Sequence, residues 1–184
     1  LRYRKMVQKG KEFYQVVLSV TPFYAEMGGQ VGDSGVLETE SEKIQVIDTK
    51  KENNLPIHIL TTLPKQIEAT FKAIIDIDNR MATEANHTAT HLMHNALRKT
   101  LGTHVEQKGS LVTAEYLRFD FSHFQKMSEE EIKKVEILVN NEILKNINIE
   151  EFREIEYNKA IEEGAIALFG EKYEDKVRMI RFGE

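Results

Sequence analysis

The chain has 184 residues, 41% hydrophobic and 30% charged, with a formal net charge of −5 and no cysteine. That length and apolar content can bury a core as one large or two small domains, while the missing cysteines exclude disulfides, thiolate nucleophiles and thiolate metal ligands. The acidic balance argues against a broad electrostatic grip on nucleic acid, which needs Lys and Arg against phosphates, and no apolar run approaches a membrane span.

The N-terminus, Leu1-Arg2-Tyr3-Arg4-Lys5, has neither an initiator methionine nor an apolar signal segment and reads as a cut inside a longer protein. Arg2, Arg4, Lys5, Lys9 and Lys11 gather there without an acid, and Glu129, Glu130 and Glu131 cluster later; a solvated surface is the expectation for both runs. From Glu12 to about Asp78 the signals are those of strands. Val16, Leu18 and Val20 alternate with Val17 and Ser19, and Ile67, Ala69, Phe71, Ala73 and Ile75 share one face. Between them lie the short apolar runs 44–48 and 57–60, separated by polar turns such as Glu52-Asn53-Asn54. Several short strands without a helical period predict a small antiparallel β-barrel. Within this stretch, residues 22–35 pack four of the ten glycines into eight positions, so the backbone there can turn tightly or approach another segment closely. That loop lacks the Lys-Ser/Thr ending of a phosphate-binding P-loop, and both a plain turn and a ligand-facing role remain open for it.

Near Asp78 the period changes from two to 3.6, which divides the chain into a β-barrel subdomain over 1–78 and an α+β core over 79–184. A helix is predicted from about Asn79 to Leu101, stopped by Gly102. Strands follow at 110–113 and 117–121, with Arg118 and Asp120 opposite Leu117, Phe119 and Phe121. Ser128 and Glu131 form a capping box whose helix should bury Ile132, Val135, Val139 and Ile143. A strand over 148–155, a short helix over 158–163, a loop over 164–173 and a final strand over 177–182 complete a mixed α+β class.

On the long helix, His87, His91 and His94 fall in one stripe with Glu84 and Arg98, while Ala85, Leu92 and Ala96 lie opposite. Two imidazoles at positions i and i+4 can converge on one metal ion, but zinc takes about four ligands, so the pair is half a site; the alternative is a solvated polar face. A helical zinc-protease pattern would place glutamate directly after the first histidine, where this chain has Thr88. Ser110 and Ser122 sit in no recognisable nucleophile elbow. The remaining chemistry is metal-assisted or water-mediated hydrolysis beside a polar pocket of His87, His91 and Thr90, with Gln107, Ser110, Arg118 and Asp120 as candidates from neighbouring strands. Each of these four has an ordinary reading as a turn residue or an exposed strand pair.

The run HTATHLMHNALRKTLGTHVEQKGSLV, then LRFDFSH, then GAIALFGEKYEDKVRMI, resembles the editing domain of the bacterial alanyl-tRNA synthetase family, and TPFYAEMGGQVGDSG is similar to the glycine-rich loop of the barrel before it. The likeness covers essentially the whole chain. It implies a deacylase that hydrolyses the ester of alanine tRNA mischarged with serine or glycine, in the cytoplasm and without a membrane, its partners being the mischarged acceptor end and the other domains of the parent ligase. ATP would bind only elsewhere in that parent. By this resemblance His87 and His91 are zinc ligands, Thr90 lies near the aminoacyl group, Gln107 and Ser110 are pocket positions, Arg118 and Asp120 back the pocket, and Gly28, Gly29 and Gln30 shape the substrate site. His94 and His104 are bystanders. The family's remaining ligands lie in a C-x-x-x-H segment beyond Glu184, so zinc is expected in the longer protein and absent or weakly held in this chain. Two rival readings are a non-catalytic tRNA-binding or interdomain module and a freestanding editing enzyme; the related threonyl-type editing domain fits the LRFDFSH and GAIALFGEKY segments less well.

Overall fold

A computed structural model describes residues 2–8, 10–165 and 174–182. The expected loop over 164–173 lies, from 166 onward, outside the described residues. The chain forms two compact units, Leu1–Thr90 with Gly109–Phe119, and His91–Lys108 with Asp120–Glu184. Residue 78, where the sequence period changes, falls in the first turn of helix α1 (Ile77–Leu101), so the expected division at that point marks an element boundary, while the units interleave along the chain.

The first unit is built on strands β1 (Arg2–Gln8), β2 (Lys11–Val17), β3 (Gly35–Glu38), β4 (Lys43–Glu52), β5 (Leu55–Leu60) and β6 (Lys72–Ile75). They pair antiparallel in the order β1-β2-β5-β4-β3-β6. The sheet is therefore open, with β1 and β6 at its edges, and the closed barrel expected from the sequence is corrected. Closure needs the two outer strands to pair. Here β1 pairs with β2 and β6 with β3, no β1–β6 pairing occurs among the described residues, and β6 has only four residues to offer. The exposed Arg2, Arg4 and Lys5 also make β1 an edge that discourages another strand.

Local chemistry explains the turns. β4 and β5 meet through Asn53 (φ 48°) and Asn54 (φ 64°), two successive positive-φ residues of the kind that match a hairpin's twist and that Asn tolerates. Along β4, Ile44 and Val46 are buried while Gln45 and Ile47 are exposed, the period of two that a one-sided sheet demands. The core consists of Val16, Phe23, Leu37, Ile44, Val46 and Leu60, with Tyr14, Leu18, Leu63, Phe71 and Ala73 packed against it. Each fully buried side chain of this size contributes about 1.5–3 kcal/mol. The expected β2 face stops early, since β2 ends at Val17 and Val20 is 85% exposed.

Helix α1 begins where Asp76 caps it, its Oδ1 accepting from Asn79 N at 3.1 Å. It ends as predicted at Gly102, whose φ of 118° and N–H bond to the Arg98 carbonyl (3.0 Å) close the last turn. Arg98 adds bonds to the carbonyls of Thr103 and Val105. Strands β7 (Gln107–Val112) and β8 (Leu117–Phe121) pair as a two-stranded sheet.

The second unit also holds α2 (Glu129–Leu144), β9 (Ile149–Glu156), α3 (Tyr157–Glu162) and β10 (Lys176–Phe182), with β9 and β10 antiparallel. The capping box is formed on both sides: Glu131 N donates to Ser128 Oγ at 3.2 Å, and Ser128 N to Glu131 Oε2 at 2.8 Å. Of the apolar stripe expected to be buried on α2, Val135 is buried, whereas Ile132 and Ile143 are each 51% exposed. Among the described residues no helix is long and apolar enough to cross a membrane.

Candidate functional site

The glycine-rich loop reverses direction between Met27 and Gln30, whose backbones bond to each other (Met27 N to Gln30 O, 3.2 Å; Gln30 N to Met27 O, 3.1 Å) around Gly28 (φ 61°) and Gly29 (φ 82°). The turn then lies against β7, with Val112 N donating to Gly29 O at 2.8 Å and Val31 N to Val112 O at 3.0 Å. The approach is close enough that a Cβ at Gly29 would collide with Ser110 Oγ and come within 2.8 Å of the Ser110 carbonyl. Glycine is thus required here twice, by its φ and by its neighbour.

Beyond the turn, Asp33 is 5% exposed. Its carboxylate takes the Tyr24 N–H at 2.6 Å and a two-pronged contact from Arg80 on α1, whose Nε donates to Oδ1 at 2.8 Å while Nη2 reaches Oδ2. Thr49 Oγ1 donates to the Asp33 carbonyl at 2.9 Å. Asn86 Nδ2, also on α1, donates to the carbonyls of Thr113 (2.9 Å) and Ala114 (3.2 Å). The loop, α1 as far as Thr90 and β7 from Gly109 onward are therefore fastened within one unit.

This fastening brings Gln30 to His87. Gln30 is 6% exposed, and its Oε1 lies 2.6 Å from His87 Nδ1. His87 is half-buried, and that burial pushes its pKa below the ordinary histidine value. Thr90, one turn toward the C-terminus from Asn86, is buried and donates its hydroxyl to the Asn86 carbonyl at 2.8 Å. The first unit contains Gly28, Gly29, Gln30, His87, Thr90 and Ser110, and also Arg118, which is exposed on β8. His91, Gln107 and Asp120 belong to the second unit: His91 and Asp120 are exposed, and Gln107 is half-buried at the start of β7.

The helix stripe is not a uniform solvated face. His94 is 7% exposed, and its burial depresses its pKa. The sequence reading also passed over three arrangements. His58 is fully buried, with Nδ1 3.0 Å from the Val16 carbonyl and Nε2 2.7 Å from Thr21 Oγ1. His104 Nε2 lies 2.9 Å from His123 Nδ1, and the His104 ring stacks on Phe124 at 4.6 Å. The Asp33–Arg80 pair is the third. An acid and a base on either side of a β-to-α switch were the only signal available for that pair, and no local spacing links them.

Among the described residues no group of three or more His, Cys, Asp or Glu side chains is placed to hold a metal ion.

Comparison with known proteins agrees with the motifs. The family described as tRNA synthetases class II (A) matches residues 2–81. The whole chain aligns with alanine-tRNA ligases, at 60% identity for that of Parabacteroides distasonis, 62% for Bacteroides thetaiotaomicron and 59% for Porphyromonas gingivalis, in each case over 21% of the relative's length. The sequence is thus of the class II aminoacyl-tRNA synthetase type. More narrowly, the chain belongs to the alanyl-tRNA synthetase family, and it spans about a fifth of the length of the curated relatives it matches.

Proposed function

We propose that the chain is the editing part of an alanine-tRNA ligase, which hydrolyses the aminoacyl ester of alanine tRNA carrying serine or glycine. The observation that supports it best is the meeting of three segments that the resemblance assigns to one pocket: the Gly28-Gly29-Gln30 turn, His87 on α1 and Ser110 on β7, joined by the 2.6 Å Gln30–His87 contact and the close passage of Gly29 over Ser110.

Physical chemistry explains why such a site is needed. A pocket shaped for alanine has no steric means to reject glycine, and an apolar pocket discriminates only about 100-fold against an added hydroxyl. A second, polar site can recognise that hydroxyl through hydrogen bonds that an alanyl ester lacks. Thr90 and Ser110 would orient the aminoacyl group, while the roles of Gln107, Arg118 and Asp120 rest on the resemblance alone. Water adds to the ester carbonyl carbon, the bond to the ribose oxygen breaks, and the amino acid leaves while the terminal hydroxyl is restored. Zinc belongs to the same reading as a cofactor of the longer ligase, with His87, His91 and two donors from outside this sequence; none of the steps above is assigned to it. The partners would be the mischarged acceptor end and the remaining ligase domains, with ATP used by the aminoacylating part in the cytoplasm.

Deacylation of seryl-, glycyl- and alanyl-tRNA tests the reading, in this chain and in a version extended past Glu184. The expected result is release of serine and glycine well ahead of alanine once the extension is present. Release no faster than in buffer from the extended protein would overturn it.

A further inference from the structure

We propose that Gln30 is a positioning residue for His87: its side-chain carbonyl accepts the Nδ1–H of the imidazole, which fixes the tautomer and turns the ring's lone pair to Nε2. A neutral imidazole has one N–H donor and one acceptor nitrogen, and whichever nitrogen meets a fixed acceptor must carry the proton. The separation of 2.6 Å is within hydrogen-bond distance.

Gln30 is held well enough to impose this choice. Its backbone is tied to Met27 on one side and, through the bridge to Val112, to β7 on the other. Its side chain is 6% exposed, so withdrawing the amide from the ring would leave buried polar groups to find new partners, at a cost comparable to a lost hydrogen bond. The positive-φ glycines Gly28 and Gly29 set where the turn delivers Gln30. The glycine-rich loop thereby acts on the helix imidazole through Gln30. This assignment rests on the reading of His87 as a functional imidazole, because an Nδ1–H ring offers Nε2 as the ligating or accepting atom.

Long-range ¹H–¹⁵N NMR of the histidine-labelled chain, treated with chelator and held above pH 7.5, reads the tautomer directly and needs no tRNA. Wild type should show His87 with a protonated Nδ1 and an unprotonated Nε2. Gln30→Met should move the ring toward the mixture of an unconstrained imidazole, and Gln30→Glu, which keeps an acceptor oxygen, should restore the Nδ1–H form. An Nε2–H ring in wild type overturns the proposal, as does a tautomer unchanged by Gln30→Met in a folded chain. If Gln30→Met fails to fold, the wild-type and Gln30→Glu spectra still decide it, since both must show Nδ1–H. Failure of the editing reading would appear only in the deacylation assay and leave these spectra as they are.

Discussion

Arg80 grips Asp33 with both prongs of its guanidinium, Nε to Oδ1 at 2.8 Å and Nη2 to Oδ2, and so ties the first turns of α1 to the end of the glycine-rich loop. The carboxylate is 5% exposed and also holds the Tyr24 amide. The planar fork matches a carboxylate in a way that lysine does not, so the pair sets direction as well as charge. The turn that carries Gln30 toward His87 is rooted in this contact.

Arg80→Met should therefore leave Asp33 charged and buried without this counter-ion. Breaking a buried pair from one side costs about 3–5 kcal/mol, and the 21% exposure of the Arg80 side chain places this case near the lower end. The urea midpoint of the variant should fall accordingly, and the His87 NMR signals should broaden or move as the loop loosens. A midpoint unchanged within error would show that the pair contributes nothing net.

Gly29→Ala should be costlier than the same change at Gly10. Both residues have positive φ, 82° and 76°, but a Cβ at Gly10 meets nothing within 4 Å while one at Gly29 strikes Ser110. Left-handed backbone costs a non-glycine residue about 1–2 kcal/mol, and forcing a methyl into a filled space adds about 1–3 kcal/mol. Thermal melts of the two variants give the comparison; equal losses would mean that the loop simply lifts from β7.

What the sequence made legible was mostly local. The Ser128–Glu131 capping box, the Gly102 stop of α1 and the Asn53-Asn54 turn depend on residues within a few positions of one another, and all three form. Strand β1 escaped notice because RYRKMVQ has no period of two, and Tyr3 and Val7 are 51% and 67% exposed. An open sheet rather than a barrel is decided by which edges find each other, which strand-length patterns do not encode. The α2 stripe identified an apolar face but not what covers it, hence the half-exposed Ile132 and Ile143. At the site, histidine spacing and clustered glycines were visible as motifs. The contacts that assemble them, Asp33 with Arg80 and Gln30 with His87, span 47 and 57 positions and exist only through the fold.

Stability of the first unit should weaken below about pH 6.5. His58 is fully buried with both ring nitrogens engaged, and desolvation pushes its pKa down. Between the lowered folded value and the ordinary unfolded value of about 6.5, the unfolded chain binds the extra proton, so stability rises with pH in that window and is lost as pH falls through it. One such ring gives a slope of at most about 1.4 kcal/mol per pH unit; His87 adds in the same direction. Urea unfolding of wild type and His58→Asn at pH 7.5, 6.5 and 5.5 checks this. The variant should be less stable at every pH yet show a shallower decline, and a decline as steep as wild type would remove His58 as a source.

Thr90 offers the sharpest test of substrate discrimination. Its hydroxyl hydrogen is committed to the Asn86 carbonyl at 2.8 Å, so toward a ligand the oxygen acts as an acceptor, suited to the hydroxyl of a seryl ester. Thr90→Val keeps the branched shape and loses that oxygen, while the Asn86 carbonyl retains its place in the helix ladder. Loss of one hydrogen bond of about 1.4 kcal/mol corresponds to a tenfold change. In the extended protein, seryl-tRNA deacylation should therefore drop about tenfold, with glycyl-tRNA deacylation little changed because glycine has no hydroxyl to lose. A parallel drop for both esters would assign Thr90 to holding the helix, and no drop for either would place it away from the aminoacyl group.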